Sequence, residues 1–159
     1  MSDKLRLYRV TDRYLNFLRK VEPKIPMNKC NGKERPFVGI VLSINGVKYI
    51  APLSSKIGKG QTDFKVKIRD EQKATIRFAY MFPIVPTALV EIDYTEEFKL
   101  DFKYTALLIN EDLYINQHKD RIHEIATKTY TNVITKRFGF EKFCCDFTKL
   151  EKIYLDYAD

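Results

Sequence analysis

The strongest constraint on the fold is an Asn-Gly pair at positions 45 and 46, which separates two β-rich runs, FVGIVLSI (37–44) and VKYIAPL (47–53). A two-residue type I′ turn needs positive φ at both central positions, and asparagine and glycine adopt this conformation most easily. The sequence therefore predicts a β-hairpin over residues 37–53. Its second strand leads directly into a polar segment, SSKIGKG (54–60). Whether this segment is an ordinary loop or a functional site is the main question that the sequence raises.

The segments before the hairpin predict a strand, a short helix and a loop. LRLYRV (5–10) alternates and is rich in β-forming residues, so we expect a strand there. Thr11-Asp12 can cap a helix that ends before Pro23. Residues 27–35, MNKCNGKER, are expected to form a basic loop.

The segments after the polar segment predict strands first and helices later. FKVKIRD (64–70) is expected to pair with ATIRFAYMF (74–82) across residues 71–73, and ALVEID (88–93) to form a further strand. From about Tyr104 to Arg137 the apolar residues follow a helical period, and Asp146 can cap a last helix. Because there is no regular βαβ alternation, the pattern predicts an α+β fold with a mainly antiparallel sheet. We expect one domain, residues 1–159.

Positive charge is concentrated in the N-terminal half. Residues 1–35 hold ten Lys/Arg and four acids, residues 54–77 hold seven and three, and residues 78–159 hold ten basic against fourteen acidic residues. A one-sided positive field is typical of a protein that binds a polyanion, although a solvated basic face would give the same composition. The strand KVKIR (65–69) adds basic residues at alternate positions, which suits an RNA track or a solvated face equally.

Several classes of protein are disfavoured by the sequence. No P-loop, HExxH or GxSxG pattern occurs. His118 and His123 are five residues apart, about 140° around a helix, so they do not share one face as a histidine pair in a nuclease site would. The three cysteines, Cys30, Cys144 and Cys145, match neither a disulfide framework nor a zinc pattern and are expected to be buried thiols.

The sequence also indicates in which compartment the protein is found. No apolar run reaches the roughly 18 residues that a membrane span needs. The start, MSDKLRLYRV, lacks the apolar segment of a signal peptide. We therefore expect a soluble, cytoplasmic protein.

Several longer stretches resemble the ToxN/AbiQ family, the endoribonuclease toxins of type III toxin–antitoxin systems. The resemblance is carried by RPFVGIVLSINGVKYIAPLSS (35–55), MFPIVP (81–86) and CCDFTKLEK (144–152). LYRVTDRYLNFLR and IHEIATKTYTNVITK also suit the family, so the resemblance covers nearly the whole chain. The hairpin followed by A-P-L-S-S is its most specific part.

The resemblance implies both a fold and an activity. It implies a compact, strongly twisted antiparallel sheet with a Kid/MazF-like barrel core, wrapped by helices. It implies sequence-specific RNA cleavage that needs no metal or other cofactor and leaves a 2′,3′-cyclic phosphate. It also implies inhibition by a repeated pseudoknot RNA antitoxin in closed protein–RNA assemblies, in the setting of abortive infection against phage or of plasmid maintenance.

The resemblance also implies the residues of the site. The hydroxyl pair at the end of the hairpin matches Ser54 and Ser55, and the active-site lysine matches Lys56, with Lys59 as the alternative. A basic residue shortly before the hairpin matches Lys33, with Arg35 as the alternative. Some members place a tyrosine a few residues earlier, where this chain has Asn28-Lys29-Cys30. The expected RNA-binding residues are the remaining basic ones near these segments: Lys29, Arg35, Lys59, Lys65, Lys67 and Arg69.

The chemistry of RNA cleavage explains why such residues could suffice. RNA supplies its own nucleophile, the 2′-hydroxyl, and donors aimed at the developing charge can lower the barrier. We expect Lys33 and Lys56 to contact the scissile phosphate, Ser55 to align the 2′-hydroxyl or the 5′-oxygen, and Ser54 to support it. The general base stays open, because serine is a weak base and a lysine would need a lowered pKa.

Two other functions fit the same residues without the resemblance. One is a non-catalytic RNA-binding module on the same basic surface, which would need the lysines but not Ser55. The other is a protein-interaction domain whose basic half meets an acidic partner. Ser-Ser after a strand is most often a simple turn, so only the resemblance raises this segment to an active site.

Overall fold

The structure, a computed structural model, describes residues 4–30, 33–58 and 60–158. Its strands are β1 (Arg6–Val10), β2 (Lys29–Cys30), β3 (Lys33–Glu34), β4 (Phe37–Ile44), β5 (Val47–Ser54), β6 (Asp63–Ile68), β7 (Glu71–Arg77), β8 (Phe82–Pro83) and β9 (Leu89–Glu91). Its helices are α1 (Asp12–Arg19), α2 (Tyr94–Leu100), α3 (Phe102–Gln117), α4 (Lys119–Ile134) and α5 (Phe147–Ile153). Among these ranges, no helix combines the length and the hydropathy that a bilayer-spanning segment needs.

The predicted hairpin is confirmed. β4 and β5 pair antiparallel, with Ile44 opposite Val47 at the turn. Asn45 has φ 51° and Gly46 has φ 80°, as a type I′ turn requires. The hairpin supplies the centre of the sheet, and it fixes where the polar segment after β5 leaves that sheet.

The main sheet is antiparallel and open. Its order is β6-β7-β5-β4-β1-β9, with β8 also paired to β5, and β2 pairs with β3 in a separate small sheet. In the part of the chain that the structure describes, the edge strands β6 and β9 do not pair with each other, so the sheet does not close. The α+β, antiparallel prediction is confirmed, whereas the barrel core is wrong. The short strand β9 is followed at once by α2, which leaves no strand to bridge the two edges.

The helices of the C-terminal half cover one face of the sheet. α3 packs against β6, α4 against β4 and β6, and α5 against β8. The core between these layers includes the fully buried Phe37, Tyr49, Ile76 and Phe147. Within it, Glu151 accepts hydrogen bonds from the Tyr49 and Tyr130 hydroxyls at 2.6 and 2.7 Å. The packing of α3 against β6 brings α3 close enough to the end of β5 for the two to line one cleft.

Helix caps follow the predictions at both ends of the chain. The Thr11 side chain accepts from the Tyr14 amide at the start of α1. Asp146 accepts from the Lys149 amide at the start of α5. α2 was not predicted from the sequence because no residue of it is buried, so it has no apolar stripe that a period could detect.

Two local predictions are wrong. The turn between β6 and β7 lies at Arg69-Asp70, which have φ values of 54° and 62°, rather than at residues 71–73. Glu71 already pairs with Ile68, and the strand stops at Arg77 instead of continuing to residue 82. The basic loop at 27–35 contains the short strands β2 and β3, whose backbone groups pair with each other.

Candidate active site

The end of β5 presents the predicted hydroxyls and ammonium at the surface. Ser54 is the last residue of the strand and is only 4% exposed, and its hydroxyl accepts a hydrogen bond from the Lys56 amide at 3.1 Å. Ser55 and Lys56 are both exposed. The two adjacent serines therefore have different environments, one inside the turn and one facing solvent.

Thr75 holds the segment after β5 in place. It lies opposite Ser54 on β7 and is fully buried. Its hydroxyl donates to the Lys56 carbonyl at 2.9 Å and accepts from the Gly58 amide at 3.0 Å and the Gln72 amide group at 3.0 Å. One hydroxyl thus fixes the backbone on both sides of Ile57, so the position of Lys56 is determined by the sheet.

Asp63 constrains the second half of the same segment. Its carboxylate accepts from the Gly60 amide at 3.0 Å and lies 3.7 Å from the Arg77 guanidinium. A Cβ atom at Gly58 would lie 2.5 Å from this carboxylate and 3.1 Å from the Thr75 methyl group. Glycine is therefore required at position 58 because the chain passes too close to β6 and β7 for a side chain.

A cleft on one side of Ser54 is lined by cations, and we call it the cationic cleft. It has a volume of about 340 Å³ and is lined by Lys24, Pro26, Arg35, Pro52, Ser54, Lys56, Arg77 and Tyr80. The Arg77 guanidinium lies 5.0 Å from the centre of the Tyr80 ring. Among the residues that the structure describes, four cations and no carboxylate line this cleft, so it is suited to an anion.

A second cleft on the other side of Ser54 is mainly apolar, and we call it the apolar cleft. It has a volume of about 240 Å³ and is lined by Glu34, Arg35, Pro36, Leu53, Ser54, Ser55, Lys73, Ala74, Tyr104, Leu107, Leu108 and Glu111. Ser54 and Arg35 line both clefts and form the ridge between them. Ser55 lines only the apolar cleft, whereas Lys56 lines only the cationic cleft.

The predicted RNA-binding residues are distributed along this surface. Lys65 is exposed and lies opposite Thr75, which in turn lies opposite Ser54, so all three share one face of the sheet. Lys67 is exposed further along β6, and Arg69 lies in the turn at its end. These cations form a row that leads away from the cationic cleft.

Three predicted residues are described only in part or not at all. Lys29 lies in β2 and Lys33 in β3, the two strands that pair in the small sheet. The side chains of both lysines lie outside the described part of the structure. Lys59 also lies outside the described residues. Arg35, directly after β3, donates from Nε to the Met27 carbonyl at 3.1 Å and lines both clefts.

Sequence reasoning missed several residues that line the two clefts or support them. Lys24 and Arg77 supply half of the cations of the cationic cleft, and Thr75 organises its edge. Glu111 lines the apolar cleft although it is only 3% exposed. The one available signal was a single acid on the apolar face of α3, at helical spacing from Tyr104, Leu107 and Leu108.

The two histidines, Cys144 and Cys145 lie in the packing rather than in the clefts, whereas the side chain of Cys30 lies outside the described part of the structure. His118 stacks on Tyr114 with ring centres 4.2 Å apart, and His123 Nδ1 lies 2.7 Å from the Val41 carbonyl oxygen. Cys144 and Cys145 are fully buried, as expected, and burial raises the pKa of the Cys144 thiol to about 12. In the described ranges, no three His, Cys, Asp or Glu side chains come together as a metal site would need; metal independence stays a prediction.

Comparison with known proteins identifies relatives over nearly the full chain. The family model described as "Toxin ToxN, type III toxin-antitoxin system" matches residues 6–155. The chain is 30% identical to the endoribonuclease ToxN of Bacillus thuringiensis subsp. kurstaki over 99% of this chain and 87% of that protein. It is 27% identical to the endoribonuclease AbiQ of Lactococcus lactis subsp. lactis over 92% of this chain and 86% of that protein.

A solved structure of similar sequence has the same fold. It superposes with a TM-score of 0.89 at 29% identity and covers 98% of each chain. That structure comes from work on bacterial type III toxin–antitoxin systems, with selective toxin inhibition by a non-coding RNA pseudoknot. The similarity therefore extends from the sequence to the whole arrangement of sheet and helices.

Proposed function

The chain belongs to the ToxN family of type III toxin–antitoxin toxins, and from this premise we propose that it is an endoribonuclease toxin acting at the end of β5. The observation that carries the site assignment is the ridge at Ser54 between the cationic cleft and the apolar cleft. RNA presents phosphates and bases in alternation, and these two clefts offer adjacent environments suited to each.

The proposed reaction uses the 2′-hydroxyl of the RNA as nucleophile. The 2′-hydroxyl gives up its proton as its oxygen attacks the neighbouring phosphorus, the bond from phosphorus to the 5′-oxygen breaks, and the leaving 5′-oxygen takes up a proton. The products are a 2′,3′-cyclic phosphate and a 5′-hydroxyl end. The charge that develops on the phosphate oxygens must be stabilised by fixed positive groups.

Each of the proposed catalytic residues has a distinct role. Lys56, which lines the cationic cleft, and Lys33 neutralise the scissile phosphate. Ser55, whose hydroxyl faces solvent, aligns the 2′-hydroxyl or the 5′-oxygen. Ser54 acts through its hydrogen bond to the Lys56 amide and so positions Lys56. The buried hydroxyl of Thr75 supports that role, because it holds the carbonyl of the same lysine.

The proposal includes an RNA antitoxin as partner, in the cytoplasm where the RNA substrates are. A solved relative is described by its inhibition by an RNA pseudoknot. The cations that lead from the cationic cleft along β6, Lys65 and Lys67 followed by Arg69, give the surface for a bound RNA longer than the cleaved step. An antitoxin that follows this surface would cover the ridge and block substrate, in closed assemblies with repeated pseudoknots.

The test compares wild type with Ser55→Ala on RNA in excess EDTA, followed by analysis of the RNA ends. Ser43→Ala is the matched control, because Ser43 is also exposed on the same hairpin but lies far along β4. We expect cyclic-phosphate ends from wild type and the control, and none from Ser55→Ala, which should still fold and bind RNA. Intact RNA from all three, with salt-dependent binding, would identify a non-catalytic RNA-binding module instead.

A further inference from the structure

The lining of the apolar cleft includes a nearly buried acidic residue of α3. Four of its lining residues, Tyr104, Leu107, Leu108 and Glu111, follow each other at helical spacing on one face of α3. The first three give ring and methyl surfaces. The fourth places a carboxyl group 3% exposed against them, beneath the Ser54–Ser55 edge.

Glu111 is 97% buried, and among the residues that the structure describes no hydrogen bond or opposite charge offsets the burial of its carboxyl group. Burying a charge without a partner is costly, and here burial raises the pKa of the Glu111 carboxyl to about 7. A ligand that hydrogen-bonds to this carboxyl group would offset the free-energy cost of burying it.

We propose that the apolar cleft binds the purine base beside the scissile phosphate, and that Glu111 recognises its Watson–Crick edge, selecting adenine when protonated and guanine when ionised. The proposal rests on the proposed function, since it concerns the RNA that is cleaved at Ser55. It adds what that function leaves open, namely the group that makes cleavage depend on sequence.

The chemistry of the cleft fits a base better than other parts of RNA. A base has two apolar faces and one polar edge, and the lining of the cleft combines apolar side chains with the nearly buried Glu111; its other charged residues are Glu34, Arg35 and Lys73. A phosphate would be repelled by that carboxyl group and has the cationic cleft beside it. Ser54 and Arg35 line both clefts, so a base in one places its phosphate near the other.

The two protonation states of a carboxyl group match different purines. An ionised carboxylate accepts two hydrogen bonds, and guanine offers adjacent N1–H and N2–H donors. A protonated carboxyl group donates one and accepts one, which matches the N1 acceptor and the N6–H donor of adenine. A glutamine side chain has the pattern of the protonated form at every pH, and glutamine pairs with adenine in other complexes.

Other charged groups near the cleft enter the pH dependence. The titratable or charged residues that line it with Glu111 are Glu34, Arg35, Lys73 and Tyr104. Tyr94 on α2 lies close enough for Glu111 to raise its pKa, and Arg9, Glu97 and Asp112 surround that tyrosine. Burial raises the pKa of Glu111 to about 7, so titration around pH 7 is assigned to it.

The experiment measures cleavage-site preference in a pool of RNAs with a randomised central segment. Wild type, Glu111→Gln and the control Glu91→Gln, an exposed carboxylate on β9 outside both clefts, are each assayed at about pH 6 and about pH 8. Sequencing of the 5′-hydroxyl ends gives the adenine-to-guanine ratio at each position beside the cut. The ratio is internal to each reaction, so changes in overall rate with pH cancel.

We expect the ratio at one position to fall roughly 5- to 100-fold from the lower to the higher pH in wild type and Glu91→Gln. Glu111→Gln should prefer adenine at both pH values, with a thermal melt showing that it is folded. A preference independent of pH and unchanged in Glu111→Gln would overturn the inference while the nuclease assignment stands. Loss of cleavage at every sequence in folded Glu111→Gln would also overturn it, because Glu111 would then act in the reaction. Absence of cleavage by wild type would instead remove the proposed function itself.

Discussion

Glu111→Gln should change how the stability of the protein depends on pH. The carboxyl group is buried without a partner on α3, and its pKa is raised from an ordinary 4.5 to about 7 by burial. The folded chain therefore keeps this proton in a pH range where the unfolded chain releases it. Glutamine has nearly the same shape and does not titrate, so the substitution isolates the contribution of this group.

The magnitude follows from the difference between the two pKa values. A pKa raised in the folded state stabilises the fold at low pH, and that stabilisation is lost as pH rises through the window between the two values. From pKa 4.5 to about 7, the free energy of unfolding should fall by about 3 kcal/mol because of Glu111, at about 1.4 kcal/mol for each pH unit. Above about pH 7 this contribution should be constant.

The assay is urea unfolding followed by circular dichroism at a series of pH values from about 5 to about 8. We expect the stability difference between Glu111→Gln and wild type to shift in favour of the variant by about 2 to 3 kcal/mol across this range. Glu91→Gln, an exposed carboxylate, should show no such change. A difference between Glu111→Gln and wild type that does not vary with pH would refute the assignment of an unpartnered buried carboxyl group.

Two further predictions concern the segment after β5. Thr75→Val removes the hydroxyl that holds the Lys56 carbonyl and the Gly58 amide. We expect a free energy of unfolding in urea that is lower by about 1–3 kcal/mol, and RNA cleavage that is roughly 10²-fold slower. Cleavage at the wild-type rate would contradict the positioning role of Thr75. Gly58→Ala puts a Cβ atom 2.5 Å from the Asp63 carboxylate and should abolish cleavage. Gly46→Ala, at a φ of 80° but with open space around it, should cost about 1 kcal/mol of stability and leave cleavage intact; equal cleavage rates in the two variants would count against a local effect at position 58.

Features that depend on neighbouring residues could be predicted from the sequence. The type I′ turn at Asn45-Gly46 and the caps at Thr11 and Asp146 each need only a few adjacent residues, and all three are confirmed. The turn between β6 and β7 was placed wrongly because neither of its two central residues is a glycine or an asparagine. Arg69 and Asp70 nevertheless both adopt positive φ. There the pairing of the two strands decides the turn, and local preference does not.

The site could be predicted only where it is continuous in sequence. Ser54, Ser55 and Lys56 follow each other, so the resemblance of one short stretch could indicate them. Arg77 and Glu111 come from a distant strand and a distant helix, and only the tertiary packing brings them to the two clefts that meet at the ridge. An acid in an amphipathic helix resembles any surface acid until its burial is known, so the helical spacing of Glu111 from apolar residues was too weak a signal to distinguish it from its exposed neighbours.

The short segment that follows β5 contributes to both clefts. Ser55 lines only the apolar cleft and Lys56 only the cationic cleft. The pairing of β4 with β5 is irregular between Gly39 and Leu42, where Gly39 pairs with Ile50 but Leu42 with Tyr49. That irregularity adds two residues to β4. A register shift of two residues keeps every side chain on its face of the sheet, whereas a shift of one residue would move each side chain to the opposite face. The face on which Ser54 lies is therefore the one set by the turn at Asn45-Gly46. In the proposed function, Ser55 then lies beside the base and Lys56 beside the phosphate.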